Sequence, residues 1–205
     1  MDIYDYKIKD YIKVLSSKES MPGGGSVSAL AGAEGMALIL MVCNLTIGKE
    51  KYKKYDKLIK KTIKDAEKLK NKFLKLMQDD INDFKNIEKV FKMPKNTENE
   101  KKKRSIAMEK ACKICCKAPK EIIECAYKGI FLSKNIMGKS NMSAASDLVV
   151  AAVNLEAAAK GAYLNILINF KSIKDKNFIK EYSKLNKFAI RKISRLAKEI
   201  YSKKD

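Results

Sequence analysis

Six residues, Met21-Pro22-Gly23-Gly24-Gly25-Ser26, stand directly before a run of small and apolar residues of helical character. Three consecutive glycines are conformationally expensive, because each loses more backbone entropy on ordering than any other residue. Such a cluster is used where a backbone bends sharply or comes close to a ligand. Ser26 or Ser28 can cap the helix that follows. Free amides at a helix start, with the macrodipole behind them, favour an anion or a developing negative charge. A plain hinge between two helices is the alternative reading.

Asp80 is the second position with chemical potential. Leu69, Phe73, Leu76, Asp80, Phe84, Ile87 and Phe91 advance in steps of three and four, so they share one helix face. A carboxylate within an apolar stripe is costly unless it is paired or hydrogen-bonded. Desolvation raises its pKa, which makes it usable as a general acid or base. An aspartate at the stripe's edge, capping or paired with a lysine, is the alternative. Asp79 and Asp83 fall further round the helix and are expected to be solvated. A third pattern is Asp147, Asn154 and Asn165, whose separations of seven and eleven return to nearly the same face. Ala151, Ala158, Gly161 and Ala162 lie between them. A polar row over a small-residue floor suits a flat, hydrogen-bonding ligand. Buried amides bonded to neighbouring backbone are the alternative, and Asp147 also fits an ordinary helix N-terminal position.

Composition removes several chemistries. The chain has no histidine, so Ser-His and Cys-His catalysis and histidine metal sites are excluded. Acid–base work falls to carboxylates, lysines, tyrosines or cysteines. The five cysteines are Cys43, Cys112, Cys115, Cys116 and Cys125, an odd number without a disulfide framework. They fit a reducing cytoplasm. Cys112 and Cys115 form a CxxC pair, but no second pair stands at zinc spacing, so no metal site is expected and the thiols read as small core residues. Net charge is +20, yet only Arg104, Arg191 and Arg195 among the cations are arginine. Specific phosphate and base recognition favours the arginine fork, and the lysines are spread along every helical segment. A solvated surface that steers small polyanions is expected, with no nucleic-acid partner.

Helical periodicity dominates, without β-alternation. Helices are expected from Ile3 to Ser16, from Ser26 to Leu45 and from about Glu50 to Phe91. Pro94 ends the last of these. Thr97 and Glu100 have capping-box spacing for the next helix, which Pro119 ends, kinks or restarts. Further helices are expected to about Ile136, from Ser143 to Phe170 and from Asp175 to Tyr201. The expectation is a single all-α domain over residues 1–205, a helical bundle with two buried Ala/Gly-rich helices. These are Ser26 to Leu45 and Ala144 to Asn169, apolar around most of their circumference and therefore central, or shared with a second subunit. The apolar stretch of Ala29 to Ile47 is interrupted by Glu34 and Asn44 and is short for a bilayer span, so no membrane partner is expected. The start, Met1-Asp2-Ile3-Tyr4, lacks the apolar stretch of a signal peptide.

With these motifs in place, the chain resembles the cyclodeaminase/cyclohydrolase family. That family includes the cyclodeaminase domain of formiminotransferase-cyclodeaminase and stand-alone bacterial methenyltetrahydrofolate cyclohydrolases. Pro22-Gly23-Gly24-Gly25-Ser26-Val27-Ser28-Ala29-Leu30-Ala31-Gly32-Ala33 resembles its signature opening. Met41 to Lys49 is similar to its MVxxLTxGK stretch, and Asp80-Ile81-Asn82-Asp83-Phe84 to its DxxxF element. Met93-Pro94-Lys95-Asn96-Thr97 resembles its LPKxT turn, Ser146-Asp147-Leu148 its SDxxxA element, and Gly161 to Asn169 its GAxxNVxxNL element. The matches run in order along essentially the whole chain.

The resemblance implies an all-helical fold, a homodimer, a folate substrate and a catalytic aspartate at Asp80. Two departures stand out: Gln78 where the family often has a second acid, and Glu34 where an apolar residue is usual. Glu34 would supply a replacement acid or lie at the helix surface. The expected activity is methenyltetrahydrofolate cyclohydrolase, with formimidoyltetrahydrofolate cyclodeaminase as the alternative and a non-enzymatic basic helical binding protein as the rival of another class. Asp80 would be the general acid/base. Gly23, Gly24, Gly25 and Ser26 would bring backbone to the folate, while Asp147, Asn154 and Asn165 would hydrogen-bond it or line the site. Lys49 would attract a polyglutamate tail. Neither reaction requires a metal or redox cofactor.

Overall fold

The computed structural model describes residues 2–202. Its helices are α1 (Ile8–Leu15), α2 (Gly24–Asn44), α3 (Asp56–Phe91), α4 (Glu98–Cys115), α5 (Lys117–Ile136), α6 (Ala145–Phe170) and α7 (Lys176–Tyr201). Short 3₁₀ turns occupy Ile3–Asp5, Glu50–Tyr55 and Met142–Ala144. No strand occurs among the described residues, as the helical periodicity requires.

Local chemistry sets the boundaries. Thr97 and Glu100 form the expected capping box: the Thr97 hydroxyl accepts from the Glu100 amide at 3.2 Å, and the Glu100 carboxylate accepts from the Thr97 amide at 2.9 Å. Pro119 restarts rather than kinks. It is the third residue of α5, where its missing amide would have had no intrahelical partner. The N-terminal segment differs from the continuous helix expected over Ile3 to Ser16. It breaks at Tyr6, which is extended; Ile3 and Tyr11 are buried and Leu15 packs partly on the core, while Ile8 stays 84% exposed.

The core forms around α2, which packs on α3, α5 and α6. Small residues permit this closeness. A Cβ at Gly32 would lie 2.3 Å from Phe73 Cε1, so the fully buried Phe73 ring takes the space of that missing atom. A Cβ at Gly35 would lie 3.0 Å from the Ala151 carbonyl, which brings α2 and α6 nearly backbone to backbone. The two helices are antiparallel: Gly24 lies by Asn165, Ser28 by Gly161 and Gly35 by Asn154. Both α2 and residues 142–170 have the length and apolarity of a membrane span, but α2 directs most of its surface at its helical neighbours.

Neither central helix is buried all round. One face of α6 carries Val150, Val153, Leu164 and Ile168, all exposed, and Val27 and Met41 of α2 and Leu45 just past its end are exposed as well. The uniformly apolar pattern therefore combines a core face with an outward apolar face.

Candidate active site

The start of α2 is built from glycine backbone. Gly23 is the N-cap in an extended conformation, and no side chain caps the helix. This corrects the expected serine cap. Ser26 and Ser28 lie inside the helix, and the Ser28 hydroxyl donates to the Gly24 carbonyl at 2.7 Å. The helix therefore begins three residues earlier than a Ser26 cap would place it. The first-turn amides are left without intrahelical partners.

Asp80 of α3 faces this turn. A Cβ at Gly25 would lie 2.1 Å from Asp80 Oδ1, 2.4 Å from Cγ and 2.5 Å from Oδ2. The carboxyl thus occupies the space that any other residue at position 25 would fill. The residue keeps some exposure on the cleft side. Burial raises its pKa from the ordinary 3.8 to about 6; the Ser26 amide opposes the rise, and the negative charge of Asp83 adds to it. Asp83, expected to be solvated, is also raised to about 6, first by burial and then by Asp79.

Asn165 closes the other side. Its Nδ2 donates to the Gly161 carbonyl at 2.9 Å, and a Cβ at Gly24 would sit 3.2 Å from that nitrogen. Its Oδ1 remains available as an acceptor. Together Gly23, Gly24, Gly25, Asp80 and Asn165 line a cleft of about 220 Å³. Ser26, next in the chain, is fully buried, and its hydroxyl has no hydrogen-bond partner among the described residues.

The remaining expected residues are elsewhere within the chain. Asn154 lies beside Gly35, midway along the α2–α6 pair. Asp147 stands in the first turn of α6, about 27 Å from Asn165 at 1.5 Å per residue. Lys49 is exposed beyond the far end of α2. Equal helical phase had grouped these residues on one face without fixing their distance along it. Glu34 is exposed on α2, which decides for the surface alternative. Gln78 Oε1 accepts from the Ile3 amide at 2.9 Å and its Nε2 donates to Asn82, so it anchors the N-terminal segment and does not line the cleft.

Sequence reasoning missed Phe84, Cys115, Ile168 and Asn169 in the cleft wall. Asn169 repeats Asn165 after one turn and donates to its carbonyl at 2.9 Å, a spacing that could have found it. Cys115 carried no such signal. Burial pushes its thiol up to about 12, so it is neutral, and it donates to the Asp83 carbonyl. No group of three Cys, Asp or Glu able to hold a metal occurs among the described residues.

The geometry has counterparts among known proteins. A sequence model of the formiminotransferase-cyclodeaminase family matches residues 7–187. A methenyltetrahydrofolate cyclohydrolase of Methylorubrum extorquens is 33% identical over 181 residues, covering 85% of this chain and 84% of that protein. A formimidoyltransferase-cyclodeaminase of Gallus gallus is 30% identical over 175 residues, 85% of this chain but only 32% of that protein. The chain thus spans about a third of that longer relative. A formiminotetrahydrofolate cyclodeaminase structure from Thermotoga maritima superposes with a TM-score of 0.87, covering 98% of this chain and 96% of that one at 23% identity. That likeness shows the same fold.

Proposed function

The chain belongs to the formiminotransferase-cyclodeaminase family, and we propose that it is a methenyltetrahydrofolate cyclohydrolase. The observation that carries this reading is a carboxyl, Asp80, held against bare helix-start backbone with its pKa raised to about 6. The relative similar over nearly its whole length bears the cyclohydrolase name.

The bridging carbon between N5 and N10 of the substrate is a cation and already electrophilic. Water adds to it while Asp80 accepts a water proton, giving a neutral tetrahedral intermediate. The C–N5 bond then breaks, Asp80 returns its proton to N5, and the carbinol proton leaves as the C=O forms. The product is 10-formyltetrahydrofolate, with one proton released overall. A group with a pKa near the working pH suits both transfers, and its negative charge stabilises the cationic ground state and transition state. No electron changes hands, so the reaction as written requires no redox cofactor, and the carbon needs no metal to be activated.

The assay follows methenyl absorbance above its spontaneous hydrolysis. Ammonia release from 5-formiminotetrahydrofolate without such hydrolysis would replace this reading by the cyclodeaminase one. Neither activity, with salt-sensitive nucleic-acid binding instead, would leave the basic binding protein.

The proposal includes a homodimer through the exposed apolar face of α2 and α6. A face of this kind marks an interaction site when it is contiguous, and the cleft reaches it at Ile168. The five buried free thiols fit a reducing compartment, and we place the enzyme in the cytoplasm. Polyglutamylated folates are included among its substrates.

A further inference from the structure

We propose that Tyr11 is a positioning residue for Asp80: its phenol braces Ser26 and so holds the amide that Ser26 presents to the Asp80 carboxyl, a role that rests on the acid–base reading above. Tyr11 comes from α1, a helix that packs little on the rest of the bundle. It is the one buried residue of that helix, while Ile8 and Ile12 are left 84% and 52% exposed. A short helix docked for its apolar area alone would bury its isoleucines and leave the tyrosine at the surface. Here the orientation is reversed, and the phenolic oxygen goes inside with the ring.

That oxygen meets a second one in the same condition. Three side-chain polar atoms are buried without a hydrogen-bond partner among the described residues, and two of them are the hydroxyls of Tyr11 and Ser26. A buried hydroxyl without a partner is costly, so such groups are few, and a catalytic role is one reason to keep them. These two stand together. Burial raises the pKa of the phenol, the Ser26 hydroxyl opposes the rise, and the charges of Asp80 and Glu34 add to it. Tyr11 thus lies against Ser26 and within the field of Asp80. Neither hydroxyl is spent on a backbone carbonyl, unlike that of Ser28, which donates to Gly24.

The segment that carries Tyr11 is tied on both sides of Asp80. The Ile3 amide donates to Gln78 Oε1 at 2.9 Å, and the Ser20 hydroxyl donates to Glu88 Oε1 at 2.7 Å. Gln78 and Glu88 flank Asp80 on α3, with Tyr11 between the two ties in sequence. Ser20 and Met21 then enter the cleft wall. Around Asp80, α3 itself brings the charge of Asp83, α4 the neutral Cys115 thiol, α6 the side chains of Asn165 and Asn169, and α1 the Tyr11 phenol. No cation lines the cleft among the described residues. Burial and then Asp83 favour the protonated carboxyl, and the Ser26 amide is the group that favours the ionised one. A brace on Ser26 is therefore a brace on the contact that keeps Asp80 usable as a base.

The test is the titration of Asp80 in the full chain, followed by carboxyl carbon NMR, with its signal identified by its loss in Asp80→Asn. Tyr11→Phe keeps the ring and removes the phenolic hydroxyl. Ser26→Ala keeps the amide and removes the hydroxyl that the phenol meets. Each should raise the Asp80 midpoint by about one pH unit. The double variant should raise it no further, because both changes remove the same contact. Tyr163→Phe removes the remaining unpartnered hydroxyl, which lies beside Ser183 of α7, and should leave the midpoint unchanged. In the methenyl assay, a midpoint moved from about 6 to about 7 makes kcat/KM of Tyr11→Phe about fivefold lower at pH 6 and within about twofold of wild type at pH 8. An unmoved or lowered midpoint in folded Tyr11→Phe would overturn the proposal. So would additive shifts in the double variant, an equal shift in Tyr163→Phe, or equal activity losses at both pH values, which a merely structural tyrosine would give. If the wild type turns over no methenyltetrahydrofolate, the function reading fails, and the NMR midpoints alone decide the role of Tyr11.

Discussion

Alanine at position 25 isolates the contact between the glycine turn and Asp80. The new Cβ would lie 2.1 Å from Oδ1, 2.4 Å from Cγ and 2.5 Å from Oδ2, where ordinary contacts begin near 3.4 Å. Either the carboxyl retreats by about 1 Å or the first turn of α2 lifts by as much. A displacement of about 1 Å at a reacting group can cost about 100-fold in rate. Stability changes less, because alanine in a helix gains about 0.5–1 kcal/mol over glycine while overpacking costs about 1–3 kcal/mol. The neighbouring glycines provide graded controls. A Cβ at Gly24 meets the Asn165 amide at 3.2 Å, a side-chain tip that can shift, and one at Gly23 meets only Met21 Sδ at 3.6 Å. We expect kcat to fall about 100-fold or more in Gly25→Ala, several-fold in Gly24→Ala and little in Gly23→Ala. Methenyl absorbance gives the rates, and circular dichroism establishes that each variant is folded. A folded Gly25→Ala retaining activity within tenfold of wild type would refute the reasoning, as would equal losses in all three variants, which would indicate a hinge.

Asp80→Asn should abolish turnover and stabilise the protein at pH 8. A folded-state pKa of about 6 lies above the ordinary 3.8, so the folded state holds its proton longer and stability falls as pH rises between about 4 and 6. Removing the ionisable group recovers about 1–3 kcal/mol above that window and little below it; urea titrations at pH 4 and pH 8 showing an equal effect would contradict this. In the wild type, kcat/KM corrected for spontaneous hydrolysis should rise about tenfold per pH unit below 6 and level off above it, and an inflection near 4 would exclude Asp80 as the base. Gly32→Ala would drive a Cβ to 2.3 Å from the Phe73 ring, so a loss of about 1–3 kcal/mol is expected in thermal denaturation. Leu164→Glu places a charge on the outward face of α6, where Leu164 is 65% exposed; if the proposed homodimer uses this face, sedimentation should show dimers of the wild type and monomers of the variant, and an unchanged dimer would move the interface elsewhere.

Much of the fold is legible in the sequence because period-3.6 patterning and caps are local. The Thr97–Glu100 box and the restart at Pro119 follow from residues within one turn of each other. Asp80 was legible for a related reason: it interrupts an otherwise apolar stripe, and the structure places it at the stripe's cleft edge. The resemblance reached the same residue independently. Distance along a helix was less legible. Asp147, Asn154 and Asn165 share a phase, yet only Asn165 reaches the glycine turn, because the antiparallel α2–α6 register is set by contacts such as Gly35 on Ala151. Cys115 enters the cleft from the end of α4, and no local pattern connects it to residues 80 or 165. The outward face of α6 fits the alternative of a helix shared with a second subunit, which composition could not separate from full burial. A helix that is apolar all round has the same composition whether both of its faces meet its own chain or one awaits another.

The glycine turn and the buried acid are best understood as one device. A serine or aspartate N-cap would place its own oxygen on the first-turn amides and satisfy them. Gly23 supplies no such oxygen, and Gly25 supplies no Cβ, so the Asp80 carboxyl from another helix approaches instead. The positive end of α2 and the Ser26 amide favour its charged form, while burial and the charge of Asp83 oppose it. Burial prevails, but only partly, and the balance falls near 6. For the proposed reaction, a deeper carboxyl would remain protonated and fail to activate water. One bonded to a full set of amides would stay ionised and fail to return a proton to N5. On the proposed reading, the conformational cost of the glycines and the desolvation cost of Asp80 maintain a single property, a proton that can move in both directions at a helix start left open for it.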